Sequence, residues 1–374
     1  MFLAMRGWPF GLVLWLLVLG AAEVYGFRQV WHVFVQTEQG QLLDYIALTG
    51  NSIGRARVET IVDRVLNGIS ILSLAVATVT VGFIALIRRR VALAVGAVLL
   101  IAGANVTTQV VKALIARPDL GVDPERAGVG NSLPSGHTTI AASVAVAFVL
   151  VLPAKARATG ALIAAAFAAL AGVATLSAGW HRPSDAVSAL LIVGGWACAA
   201  GLFIVVAQRR HGGVQYGPPS TYVTVFLGLI SLGLLAGAAV ALYLTDQALD
   251  VAVDDLSRRR LFAAYAGGAL GIAGTAGLMV ASVLATAHRV VPQVVPPSLD
   301  DEDDTAGVPA GGLPVGPGEP PTVPLAGVQH AAPAPPAPAG DPIGEQVTIR
   351  LTGEEPTTQR LAQPPDDPTV KLPG

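Results

Sequence analysis

The chain has 374 residues, 53% of them hydrophobic and 13% charged, where a soluble domain carries roughly 25% charged residues. That composition excludes an ordinary soluble domain and points to a body that lives largely in lipid. The formal net charge is −2, and no nucleic acid is expected among the partners.

A membrane-spanning helix needs about 20 mainly apolar residues, because the hydrocarbon layer is about 30 Å thick and each residue rises about 1.5 Å. Eight runs meet or approach this, near 8–26, 68–87, 91–111, 137–153, 158–178, 185–207, 222–245 and 264–287. The first follows Arg6 and has the outline of a signal peptide. Seven further spans, and its extension to Phe27, favour a retained helix. The fourth is short for a span. The sixth holds Cys198, the chain's one cysteine, so neither an internal disulfide nor a cysteine-based metal site is available. Abundant Gly and Ala suit close helix packing in lipid.

Arg88-Arg89-Arg90, Lys155 with Arg157, Arg209-Arg210 and Arg289 fall in alternate connections, which the positive-inside bias places in the cytoplasm. Connections 27–67, 112–136, 179–184 and 246–263 are then extracytoplasmic, with Arg258-Arg259-Arg260 as the exception. The expectation is a multi-pass protein of the cell membrane with both termini inside. Within 27–67, Leu42-Leu43-Asp44-Tyr45-Ile46 reads either as an interfacial helix or as a plain surface loop. From Val290 onward the chain holds 3 basic and 12 acidic residues and 19 of the 27 prolines, while the remainder carries a net +7. Such a tail cannot bury enough apolar surface to offset its ordering entropy, so disorder is expected. Thr305, Thr357, Thr358 and Thr369 follow acidic residues there. They read either as part of a solvated tail or as kinase sites that a phospho-dependent cytoplasmic partner would bind.

Two extracytoplasmic connections keep polar residues that a membrane protein has little reason to hold. One carries Lys112 and Arg117-Pro118, then runs through Asn131-Ser132-Leu133-Pro134-Ser135-Gly136-His137. The other is Gly179-Trp180-His181-Arg182-Pro183-Ser184-Asp185. Lys112 and Arg117 are cations suited to phosphate oxygens, Arg through its planar fork and Lys as a point charge. Ser135 and Gly136 open an apolar helix, where free backbone N–H groups and the positive dipole end favour an anion. His181 and Asp185, four apart, share a face if the connection leads straight into the next helix. The carboxylate then holds one imidazole nitrogen and leaves the other for attack. Each histidine alone reads first as an interfacial cap, but the full set on one side reads as a phosphoryl-transfer site.

Pro134-Ser135-Gly136-His137 and His181-x-x-x-Asp185 resemble the second and third signatures of the type 2 phosphatidic acid phosphatase / haloperoxidase superfamily, in its membrane lipid phosphatase branch. The resemblance covers about 68–207. It implies an all-α membrane bundle and a hydrolase in which His181 takes the phosphoryl group and Asp185 orients it. His137 would protonate the leaving oxygen, and Lys112, Arg117, Ser135 and Gly136 would bind the phosphoryl oxygens. No metal or cofactor is implied, since the cations are side chains. The substrate would be a membrane lipid phosphate or an isoprenoid diphosphate. The chain would divide into a first helix and long connection (1–67), a phosphatase-like core (68–207), two additional helices (208–289) and the tail (290–374).

Two departures stand out. The family's first motif spaces Lys and Arg by six residues, whereas four separate Lys112 from Arg117. On a helix that step turns the Arg about 140° from the Lys, so a helix end must swing it into the site, which Pro118 favours. The third motif's usual Ser-Arg positions hold Ala174 and Thr175. Arg182 either supplies the missing charge at the phosphate or serves as a headgroup-level surface arginine. These departures leave two further readings beside the enzyme: a lipid-phosphate binder or scaffold without turnover, and a transporter, for which no hydropathy symmetry or midplane charge pair speaks.

Overall fold

The computed structural model describes residues 10–52, 79–80, 83, 90–123, 131–208, 215–216, 218–247, 249 and 253–293. The second hydrophobic run, apart from three positions, and the tail beyond Gln293 lie outside the described residues. The other seven runs are helices. Helix α1 spans Phe10–Gln36, α2 Glu38–Thr49, α3 Val91–Leu114, α4 Gly136–Val151, α5 Ala154–Ser177, α6 Pro183–Gln208, α7 Thr221–Asp246 and α8 Arg258–Val290. Among the described residues six of these are long and apolar enough to cross a membrane, and α4 is a shorter apolar helix. The protein is an all-α membrane bundle. A two-residue antiparallel pair, β1 (Gln215–Tyr216) with β2 (Pro292–Gln293), joins the chain after α6 to the end of α8.

Helix α6 packs on α1, α3, α4 and α8. Its core neighbours include Leu100 and Ile101 of α3, Val146 of α4, and Ile272 and Val280 of α8, all buried. Small residues set the spacing. A Cβ on Gly172 of α5 would lie 2.5 Å from Ile272 Cγ2, and one on Gly96 of α3 2.7 Å from the Ile204 side chain. Without a hydrophobic drive between helices in lipid, such close approach supplies the dispersion contacts that hold the bundle.

Helix α1 continues ten residues past the apolar run expected to end at 26, so His32 lies within it rather than in a loop. The turn into α2 is tight. Thr37 caps α2 by accepting from Gly40 N–H at 3.0 Å, and a Cβ on Gly40 would collide with the Val33 carbonyl at 1.9 Å. The segment 42–46 is thus helical, and it is not a surface layer: Leu43, Asp44, Ile46, Ala47 and Leu48 are buried. Ile46 and Ala47 pack with Leu256 and Ala264 at the start of α8. Arg258-Arg259-Arg260, the orientation exception, form the first turn of α8 at this same end of the bundle.

Candidate active site

One end of the bundle gathers the polar residues. Helix α3 stops at Leu114, and Ile115 turns extended (φ −92°, ψ 117°). That break brings Arg117 inward, as the short Lys-to-Arg spacing requires. Its Nη2 lies 3.5 Å from Asp185 Oδ1 and 3.9 Å from Asp44 Oδ2, and its Nη1 donates to the Phe34 carbonyl at 3.3 Å. Gln41 of α2 donates to the Pro118 carbonyl at 2.9 Å and so clamps the same segment from the other side.

The loop carrying His181 is set by the end of α5. Gly179 takes a left-handed conformation (φ 74°), its N–H donates to the Leu176 carbonyl, and the Trp180 N–H donates to the Thr175 carbonyl. This is a Schellman closure, which needs glycine at that position. The same Thr175 carbonyl accepts from the His181 N–H at 3.2 Å. Thr175, one of the two positions where the related motif has Ser-Arg, therefore serves the loop through its backbone.

Asp185, the third residue of α6, is fully buried and collects donors. Its Oδ2 accepts from Ser132 Oγ at 2.7 Å, from the Arg182 N–H at 3.1 Å and from His181 Nδ1 at 3.3 Å. The bond back to the N–H just before the helix closes its first turn as in a capping box. The Asp185 carbonyl in turn accepts from the Ser135 N–H at 2.9 Å, which ties the start of α4 to the start of α6. Ser135 caps α4, its hydroxyl accepting from the Thr138 N–H at 3.4 Å. Beside it Gly136 faces open space, the nearest atom to an added Cβ being Gln109 Nε2 at 3.9 Å. His137 stacks at a tilt on Trp180, ring centroids 5.2 Å apart, and lies within electrostatic reach of His181 and Lys112. Lys112 occupies the last turn of α3.

Arg182 points elsewhere. Its Nη2 donates to Asp123 at 2.6 Å and its Nη1 to Ser132 Oγ at 3.3 Å. It is buried rather than a surface arginine, and its guanidinium is held by Asp123 and Ser132.

Three participants escaped the sequence reading. Ser132 and Asp123 lie in the connection already singled out. Asp44 lies well outside it, on α2, where its carboxylate accepts from both Ser184 N–H and Ser184 Oγ. Burial pushes the Asp44 carboxyl up from 3.8 to about 6, Asp185 adding to the effect while Arg117 and Ser184 oppose it. Burial likewise pulls the Arg117 guanidinium down, against the carboxylates of Asp44 and Asp185.

A carboxyl group whose value rises on folding binds its proton more tightly in the folded state. Its contribution is therefore most favourable below about pH 4 and declines as pH rises towards 6, a swing of about 3 kcal/mol. Subtracting the thermal-stability profile of Asp44→Asn from that of the wild type should expose this decline between pH 4 and 7. Superimposable profiles would mean that Asp44 titrates normally.

The family comparison meets this geometry directly: the model of the PAP2 superfamily matches residues 93–211, a segment holding Lys112, Arg117, Ser135, Gly136, His137, His181, Arg182 and Asp185. The match supports membership of this part of the chain in the type 2 phosphatidic acid phosphatase superfamily. Members of that superfamily are phosphatases, which supports a phosphoric-ester hydrolase in general. Comparison with curated proteins and with solved structures returns no match. Asp44 and the helices α7 and α8 fall outside the matched segment.

Proposed function

We propose that the protein hydrolyses a phosphomonoester or diphosphate on a membrane lipid, through a phosphohistidine at His181. The observation that carries this reading is the hold of Asp185 Oδ2 on His181 Nδ1 at 3.3 Å, with Arg117 3.5 Å from the other carboxylate oxygen. A carboxylate on Nδ1 keeps the proton there and leaves the Nε2 lone pair to attack phosphorus. As the N–P bond forms, the bond to the lipid oxygen breaks, and His137 gives that oxygen a proton. His137 then takes a proton from water, whose oxygen displaces His181 and releases inorganic phosphate. Lys112, Arg117 and the backbone at Ser135-Gly136 carry the developing negative charge. The site would face the extracytoplasmic side with both termini inside, where a headgroup can enter while its chain stays in lipid. On this reading residues 68–207 form the catalytic core, and 208–289 and 290–374 are appendages.

One observation favours a second reading, a lipid-phosphate binder without turnover. Arg117 and Arg182 are both already engaged by carboxylates, the former by Asp44 and Asp185 and the latter by Asp123. Phosphate release by purified protein against a panel of phosphatidate, phosphatidylglycerophosphate and isoprenoid diphosphate decides between them. The enzyme should release phosphate from at least one lipid, and His181→Ala should lower the rate on the order of 10⁴-fold or more. Binding without release would select the second reading, and full activity in His181→Ala would remove the assigned nucleophile.

A further inference from the structure

Glu23 lies at the midpoint of α1 (Phe10–Gln36), inside a run otherwise free of charge from Phe10 to Phe27. It does not point away from the bundle. A Cβ on Gly194 of α6 would fall 2.5 Å from Glu23 Oε1, so the carboxyl group rests directly on the α6 backbone, near the middle of that helix. Two successive glycines, Gly194 and Gly195, make the room. An ionisable group at the depth of the hydrocarbon centre is costly and is retained where it has a task. The phosphoryl chemistry gives it none, since the groups assigned to that chemistry lie at one end of the bundle.

Beside Glu23 is a cavity of about 260 Å³ between α1, α3 and α6. Phe27, Val111, Leu191 and Trp196 are among the residues of its apolar wall. The Trp196 indole is fixed, its Nε1 donating to Thr107 Oγ1 at 3.0 Å while its ring lies against Gly103. Among the described residues no basic side chain lines the cavity, and no hydrogen bond or ion pair joins Glu23 to another described residue. The cavity thus joins a single carboxyl group to two aromatic side chains and aliphatic walls. A hydrocarbon chain would fill the walls but leave the carboxylate without a counter-charge. A small hydrated cation would match the charge but waste the walls. A cation with an apolar body satisfies both, through charge pairing with Glu23 and the attraction of a cation to aromatic faces.

We propose that this cavity binds a lipophilic cation, an amine or quaternary ammonium entering from the membrane, with Glu23 as its counter-ion. The site is separate from the phosphoryl site and does not depend on the phosphatase reading.

The test is equilibrium binding of radiolabelled tetrapropylammonium to the full-length protein in uncharged phosphatidylcholine nanodiscs. The wild type should show saturable binding above that of empty nanodiscs. Glu23→Gln keeps the shape and removes the charge, and should bind at least tenfold more weakly. Gly195→Leu fills the cavity while leaving Glu23 in place, and should also lose binding, which covers the case where Glu23→Gln fails to assemble. Wild-type uptake equal to empty nanodiscs overturns the proposal. So does undiminished binding by either variant, which would mean partition into lipid or a site elsewhere.

Discussion

Replacing Asp185 with asparagine is expected to lower phosphate release by about 10²–10⁴-fold while leaving the bundle folded, because the substitution removes the charge beside His181 more than it moves the ring. The asparagine oxygen can still accept from the Ser132 hydroxyl and the Arg182 N–H, the two shorter contacts that anchor the side chain at 2.7 and 3.1 Å. It no longer carries the charge that stabilises His181 as positive character develops on the ring. Its amide also places donors near the Arg117 guanidinium, where the carboxylate offered an acceptor at 3.5 Å. The informative experiment is a single-turnover measurement of both phosphohistidine formation and its hydrolysis. Loss of the first step supports the orienting role. A rate within threefold of wild type would take the Asp185–His181 pair out of the mechanism.

Arg117→Ala is expected to be the most damaging single change, costing stability as well as activity. Arg117 is the cation shared by two buried carboxylates, Asp44 and Asp185, whose side chains are 1% and 0% exposed. Deleting one member of a buried charge network leaves the others uncompensated, at a cost of about 3–5 kcal/mol. Arg117→Lys should retain part of the stability but little activity, because an ammonium cannot span both carboxylates and a phosphoryl oxygen with a planar fork. Adding Asp44→Asn to Arg117→Ala removes one orphaned charge, and should recover stability without recovering turnover. Thermal unfolding in detergent and phosphate release, measured on the same preparations, separate the two effects. An Arg117→Ala protein as stable as wild type would show that Asp44 and Asp185 do not rely on it.

Hydropathy located seven of the helices because lipid imposes one length on every span, and that requirement is local. It misjudged the end of α1, since Arg28 and His32 interrupt the apolar run without interrupting the helix. Local chemistry also exposed the Arg117 break, because Pro118 disfavours a helical conformation in the residue before it. What stayed hidden was decided by packing between distant segments. Asp44 reaches Ser184 across 140 positions of chain, and nothing in Leu42-Leu43-Asp44-Tyr45-Ile46 announces that partner. The contact of Arg182 with Asp123, 59 positions away, is likewise absent from its local sequence.

The Ser135 N–H to Asp185 carbonyl bond bears on how the protein is made. Helix α4 emerges from the ribosome some fifty residues before its partner at the start of α6. Until then Ser132 and Ser135 have no carboxylate or carbonyl to meet. The scaffold behind them closes later still, when α8 arrives to place Ile272 against Gly172. Insertion therefore delivers the reactive groups early and their alignment last, so a nascent chain halted before Arg258 would occupy the membrane without a finished site.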